Sequence, residues 1–249
     1  MQNMQFKMQA VILAAGRGTR LRPLTDFVAK PLLPVEGKAA IVRVIENLRA
    51  AGIEEFIVIT GYLGKQIKKF LSKCSVSRFA IRYVEQPELT GAANALLCAR
   101  KLIKGDFLVT ASDCLLPVEF LKSLIAFHFA EKCDATIALK RLDPERIMES
   151  STVKLGSADR ILQIIEKPAQ HEILSELSAA PVYIFKPRVF EFLSQVEKSP
   201  RGEYEVQAAI QMMIEARLCV KGLIAEHWIH LSNLRDFLRL NFDYMNELL

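Results

Sequence analysis

The chain is short of the residues that would place it in several structural classes. Its 249 residues include only five cysteines, and Cys74, Cys98, Cys114, Cys133 and Cys219 are separated by long, irregular gaps. An odd number so spaced suits neither a disulfide framework nor a CxxC-type zinc site, and the thiols read as reduced, as in a cytoplasmic protein. Long apolar runs are missing too. The first one, Ala10 to Ala15, is strand-length and ends in glycine, with no basic start before it. Neither an export signal nor a membrane partner is expected. Charge is not concentrated: 33 basic and 28 acidic residues, net +5, are spread along the chain. With no basic stretch interleaved with aromatics, a nucleic-acid partner is not expected, and an anionic small molecule accounts for the balance equally well. There is no repeat, low-complexity tract or hexapeptide pattern, so no appended C-terminal β-helix domain is expected.

What the chain has in quantity is apolar material. With 51% hydrophobic residues it can bury a sizeable core, and its length suits one domain over 1–249. Short β-rich runs alternate with segments of helical period, the pattern of a largely parallel sheet covered by helices. Strands are predicted at Gln9–Ala14, Glu55–Thr60, Ala80–Glu85 and Phe107–Thr110, with a helix over Ala39–Ala51 that closes near Gly52. From Ala135 the predicted strands crowd together: Ala135–Lys140, Ser151–Leu155, Ile161–Glu166 and Val182–Phe185. They read as a mixed extension of the same sheet, with helices over Pro187–Val196 and Glu205–Ala216. A last helix, Asn233 to Asn246, follows Ser232 as its N-cap and carries Leu234, Phe237, Leu238, Phe242 and Met245 at helical spacing.

Chemistry concentrates after the first strand, in Leu13-Ala14-Ala15-Gly16-Arg17-Gly18-Thr19-Arg20. Small residues there let a backbone approach phosphates with unobstructed amides, and Arg20, Arg22 and Lys30 add cationic charge. A Walker loop would need a Gly-Lys-Ser/Thr ending and a dinucleotide fingerprint a third glycine, and neither is present. Two glycines alone would equally suit a plain turn with solvated arginines.

The longer string, from Leu13 through Arg20-Leu-Arg-Pro-Leu-Thr25 and on to Lys30-Pro-Leu-Leu-Pro-Val35, resembles the signature of the sugar-1-phosphate nucleotidyltransferases. Glucose-1-phosphate thymidylyltransferase and uridylyltransferase are examples. The resemblance implies an α/β fold, a Rossmann-like three-layer sandwich with a mixed, mainly parallel sheet, split into a nucleotide-binding half (1–130) and a sugar-phosphate half (131–249). It implies transfer of a nucleotidyl group from dTTP or UTP to a sugar-1-phosphate, with release of pyrophosphate. Leu13, Ala14, Ala15, Gly16, Gly18, Thr19 and Arg20 would then hold the nucleotide. Gln86, followed by Gly91 and Ala92, resembles the base-reading element, whose amide offers the donor and acceptor that uracil or thymine requires. Asp113, just past a strand, resembles a magnesium-binding aspartate, and Glu166 and Lys167 resemble the contacts to sugar and phosphate. Arg20, Lys30 and Lys167 would carry the catalytic charge. Relatives of this kind are often oligomers, so a homo-oligomer belongs among the expectations.

The second half departs from the pattern. In Trp228-Ile229-His230-Leu231-Ser232, His230 stands where a second metal-binding aspartate is expected. Imidazole is a poor partner for Mg2+ and a better one for Mn2+ or Co2+. Ser151 and Pro181 each replace a glycine, Pro181 without an amide hydrogen to donate, and Ala208 replaces an aspartate. A nucleotide-binding regulatory or assembly subunit of the same fold is the alternative expectation.

Overall fold

A computed structural model describes residues 8–248, with side chains described as far as residue 242. The strands are β1 (Gln9–Ala14), β2 (Pro34–Val35), β3 (Lys38–Ala39), β4 (Glu55–Thr60), β5 (Ala80–Glu85), β6 (Phe107–Ala111), β7 (Cys114–Leu115), β8 (Ala135–Arg141), β9 (Ser151–Leu155), β10 (Ile161–Glu166), β11 (Leu177–Phe185), β12 (Val220–Ile224) and β13 (Ile229–His230). The helices are α1 (Leu24–Phe27), α2 (Ala40–Ala50), α3 (Gly64–Leu71), α4 (Ala92–Ala99), α5 (Val118–Ala130), α6 (Pro144–Met148), α7 (Val189–Leu193), α8 (Val206–Glu215) and α9 (Leu234–Leu248).

Seven strands form one sheet in the order β12-β8-β11-β6-β1-β4-β5. Only β11 runs antiparallel to its neighbours there. Alternation along each strand builds two cores. Ala10, Ile12, Phe56, Val58 and Leu108 face α2, α3 and α5, while Val11, Ile57, Ile59, Phe107 and Val109 face α4, α7 and α8. Burial on both faces is why these strands read as unbroken apolar runs.

β1 is flanked by β4 on one side and β6 on the other, both parallel to it. The chain winds outward through β4 and β5, then returns to the far side of β1. Such a reversal opens a crevice at the carboxyl ends of the strands, and the glycine-rich loop starts there.

The second half differs from expectation in three ways. β9 and β10 pair with each other as a separate hairpin rather than extending the sheet. β11 begins at Leu177, five residues before the predicted strand, and its register breaks between Ala179 and Tyr183. Pro181 lies in that break, where no ladder bond needs its missing N–H. The last helix is capped by Asn233 rather than Ser232: Asn233 Oδ1 accepts from the Asp236 N–H at 3.0 Å. Its turns expose Leu234, Leu238 and Phe242, whereas the side chain of Met245 lies outside the described residues. Among the described residues, no helix is long and apolar enough to cross a membrane.

Candidate functional site

Two adjoining pockets occupy the carboxyl end of the sheet. The first, a cleft of about 450 Å³, is lined by Leu13, Ala14, Ala15, Gly16, Gly18 and Thr19 of the loop, and by Lys30, Gln86, Gly91, Ala92 and Asp113. All but one of the residues expected to hold the nucleotide thus come together. The exception is Arg20, whose side chain lines the second pocket.

The loop is shaped by Gly18, whose φ of 65° is left-handed and favours glycine. A Cβ there would lie 3.0 Å from both Lys30 Cβ and Thr25 Cγ2. Buried Thr25 donates to the Gly18 carbonyl at 2.9 Å, and the Leu21 N–H shares it at 2.8 Å. The loop therefore turns the Gly18 carbonyl inward, and the backbone N–H groups of Gly16, Arg17 and Gly18 find no acceptor among the described residues. Successive free amides make an anion-binding concavity.

On the opposite wall, Gln86 is buried and donates through Nε2 to the Gly91 carbonyl at 3.0 Å. That leaves one N–H and Oε1 for a ligand. Gly91 has φ 115°, and a Cβ there would meet the Tyr204 carbonyl oxygen at 2.4 Å. The close approach exists because the Ala93 N–H bonds Tyr204 O at 3.0 Å while the Tyr204 N–H bonds Thr90 O at 2.7 Å. The same segment brings Glu203, which sequence reading missed, into the cleft.

Asp113 forms the floor, where burial alone would push its carboxyl up. The charges of Lys30 and His230, with their hydrogen bonds, overcome that and hold it well below the usual carboxylate range. Lys30 Nζ is paired to Asp113 Oδ2, and His230 Nε2 lies 3.5 Å from the same oxygen. The short strands β7 and β13 place His230 there: it pairs with Cys114, and the Leu231 N–H bonds the Asp113 carbonyl at 3.0 Å.

Asp113 and His230 were the expected metal pair. A hard cation needs oxygen donors, yet the one carboxylate oxygen facing His230 already carries an ammonium. Among the described residues no cluster of three or more His, Cys, Asp or Glu is gathered. Asp113 and His230 by themselves supply one carboxylate and one imidazole, fewer donors than a hard cation takes without substrate phosphates, and no chemical step is assigned to one.

Beyond His230 lies the second pocket, of about 420 Å³, between β8, α6, Trp228 and α9. Sequence reading missed its Lys140, although a lysine directly after the mostly apolar run Ala135–Leu139 of β8 is itself a signal. Glu166 and Lys167 line neither pocket. Glu166 ends β10, where burial, reinforced by the charge of Glu205, raises its carboxyl to about 7. Lys167 is exposed in a left-handed conformation, φ 45°, tied by its N–H to Ser150 O at 2.6 Å. Ser151, expected as a departure on the sugar side, points away into the core. Its Oγ lies 3.2 Å from Ser178 Oγ and accepts from the Ala179 N–H at 3.0 Å.

Residues 9–247 match the family described as nucleotidyl transferase. The chain belongs to that family. Curated members of similar sequence include a glucose-1-phosphate thymidylyltransferase of Streptomyces griseus, 30% identical over 94% of this chain and 65% of its own length. A bifunctional protein GlmU of Methanococcus maripaludis is 30% identical over 97% of this chain and 56% of its own. The chain thus spans between half and two thirds of those two relatives. The UTP–glucose-1-phosphate uridylyltransferase AglF of Haloferax volcanii is 30% identical over 89% of both chains. Among solved structures, a UDP-glucose pyrophosphorylase complexed with UDP-glucose superposes with a TM-score of 0.89 over 97% of this chain and 99% of its own, at 20% identity. That likeness bears on the fold, and it agrees with the mixed, mainly parallel sheet.

Proposed function

We propose that this chain transfers a nucleotidyl group from dTTP or UTP to a sugar-1-phosphate and releases pyrophosphate. The observation that carries the reading is the loop cleft, where three free amides at Gly16–Gly18 and the Lys30 ammonium face a buried glutamine with one donor and one acceptor to spare. The names of the curated relatives support the same class of reaction.

In this scheme an oxygen of the sugar phosphate attacks the α-phosphorus in line. The new P–O bond forms as the α–β bridging bond breaks, and the electron pair leaves with pyrophosphate. Little covalent work falls to the protein, so positioning and charge neutralisation decide the rate. The loop amides fix the phosphates, and Lys30 passes from Asp113 to the more highly charged phosphate oxygens. Gln86 reads the pyrimidine edge. Lys167, held out by its left-handed backbone, meets the acceptor phosphate, and Glu166 accepts from sugar hydroxyls once ionised.

A pyrophosphate-release screen of nucleoside triphosphates against hexose-1-phosphates tests this, with Mg2+, Mn2+ and Co2+ each supplied. Release with dTTP or UTP is expected. Background release with every combination would refute it.

A further inference from the structure

The second pocket is strongly cationic. Five lysine and arginine side chains line it against three carboxylates. Two of those carboxylates serve the backbone: Asp143 accepts from the Arg146 N–H at 2.9 Å, with its other oxygen 3.9 Å from Arg146 Nε, and Asp236 accepts from the Ser232 N–H at 3.0 Å. Lys140 is only 3% exposed, yet among the described residues its ammonium has no hydrogen-bond or ion-pair partner. It lies 4.0 Å from the centroid of the Trp228 ring, which holds it towards the pocket. Burial pulls its pKa down, helped by the charge of Arg146, and the Asp113 carboxylate works against that pull. A buried, unpaired ammonium costs stability unless an anion arrives to meet it.

The linings of the pocket and the loop cleft meet at two points. Thr19 lines the cleft, and its neighbour Arg20 lines the pocket. Asp113 lines the cleft and touches His230, which lines the pocket. The loop amides and the cationic lining are thus neighbours, an arrangement that a polyphosphate could bridge.

We propose that this pocket seats the pyrophosphoryl end of the nucleotide and then the departing pyrophosphate, with Lys140 as its buried cation and Arg20 and Arg146 at its rim. The assignment rests on the transfer reading above. As the α–β bridging bond breaks, negative charge grows on the bridging oxygen, and these side chains neutralise it with no proton transferred. Protein cations thereby supply neutralising charge on the leaving-group side.

Titration calorimetry with inorganic pyrophosphate on the full chain, with and without chelator, tests the assignment. Wild type is expected to bind pyrophosphate in chelator. Lys140→Met should weaken that binding by at least about tenfold, the loss of one charge-assisted contact, and leave binding of the nucleoside monophosphate as the internal control. Should Lys140→Met fold poorly, Arg146→Gln on the exposed α6 is expected to weaken pyrophosphate about threefold, the lower end of such contacts. Unchanged pyrophosphate affinity in either folded variant overturns the proposal. So does a hexose phosphate that displaces pyrophosphate while the nucleotide stays bound, since the pocket would then serve a separate effector. If pyrophosphate binds in a Lys140-dependent way but no nucleotide is turned over, the pocket stands and the transfer reading fails. Turnover without any Lys140 dependence has the opposite meaning.

Discussion

Replacing Lys30 by methionine tests the centre of the site most directly, because the change leaves a carboxylate stranded. The Lys30 side chain is 17% exposed and that of Asp113 is 6% exposed. Removing one partner of such a buried pair costs about 3–5 kcal/mol, most of it the penalty of the uncompensated charge. His230 remains 3.5 Å from the same oxygen, which places the expected loss near the lower end, about 3 kcal/mol. For a domain of this size that lowers the thermal midpoint by roughly 6–12 °C. The pH dependence has a definite sign. Asp113 has a depressed folded pKa, so its stabilisation is present above the unfolded value of about 3.9 and lost as pH falls through the folded one. The gap between wild type and Lys30→Met should therefore narrow in acid. Urea titrations at neutral pH and below about pH 4 measure both effects. Lys30→Met/Asp113→Asn should recover most of the loss, since the stranded charge is gone. A single-variant cost under about 1 kcal/mol, the range of a solvated pair, would refute the buried-pair account.

Three further outcomes follow from the same geometry. Gly91→Ala forces a Cβ against the Tyr204 carbonyl oxygen, so calorimetry should find nucleotide binding lost and urea titration a destabilisation of more than about 1 kcal/mol; binding at wild-type affinity would contradict it. Glu166, with its carboxyl raised to about 7, should make acceptor KM fall as pH rises through neutrality, and Glu166→Gln should flatten that profile. The same raised pKa means that stability falls between the unfolded value and about 7 as pH rises, a slope the glutamine variant should lack. Burial pushes the His128 imidazole down, with Asp106 only partly opposing it; stability should be complete above about pH 6.5 and decline below it as the unfolded chain takes up the proton. His128→Phe should remove that slope in urea titrations, and an unchanged slope would assign it elsewhere.

Much of this was open to sequence reading for a physical reason. β1, β4, β5, β9 and β10 are legible to the residue, because doubly buried or strictly paired strands write unbroken apolar runs or clean alternation. The start of β11 is illegible, since Ala179-Ala180-Pro181 reads as a strand breaker until the register break that accommodates it is seen. The glycine-rich loop is legible as a phosphate cradle, yet nothing in it separates Thr19 from Arg20. Only the fold shows that these neighbours face different pockets. β7 and β13 are two residues each, too short for any periodicity, and they alone set His230 beside Asp113.

The departures from the family pattern are consequently of two kinds. Ser151 and Pro181 are absorbed by the scaffold: one hydroxyl is buried among Ser178 and the Ala179 amide, and one proline lies in a gap of the ladder. Neither change presents a new group to a ligand. His230 is different, because it exchanges an anionic position for one that is neutral or cationic at the junction of two pockets, and Lys140 adds a buried ammonium on the same side. Around it lysines and arginines outnumber carboxylates five to three, a balance that a phosphate tail matches. The altered half is thus better described as recharged than as degraded, and the protonation-independent arginines at its rim would keep that charge across the working pH range.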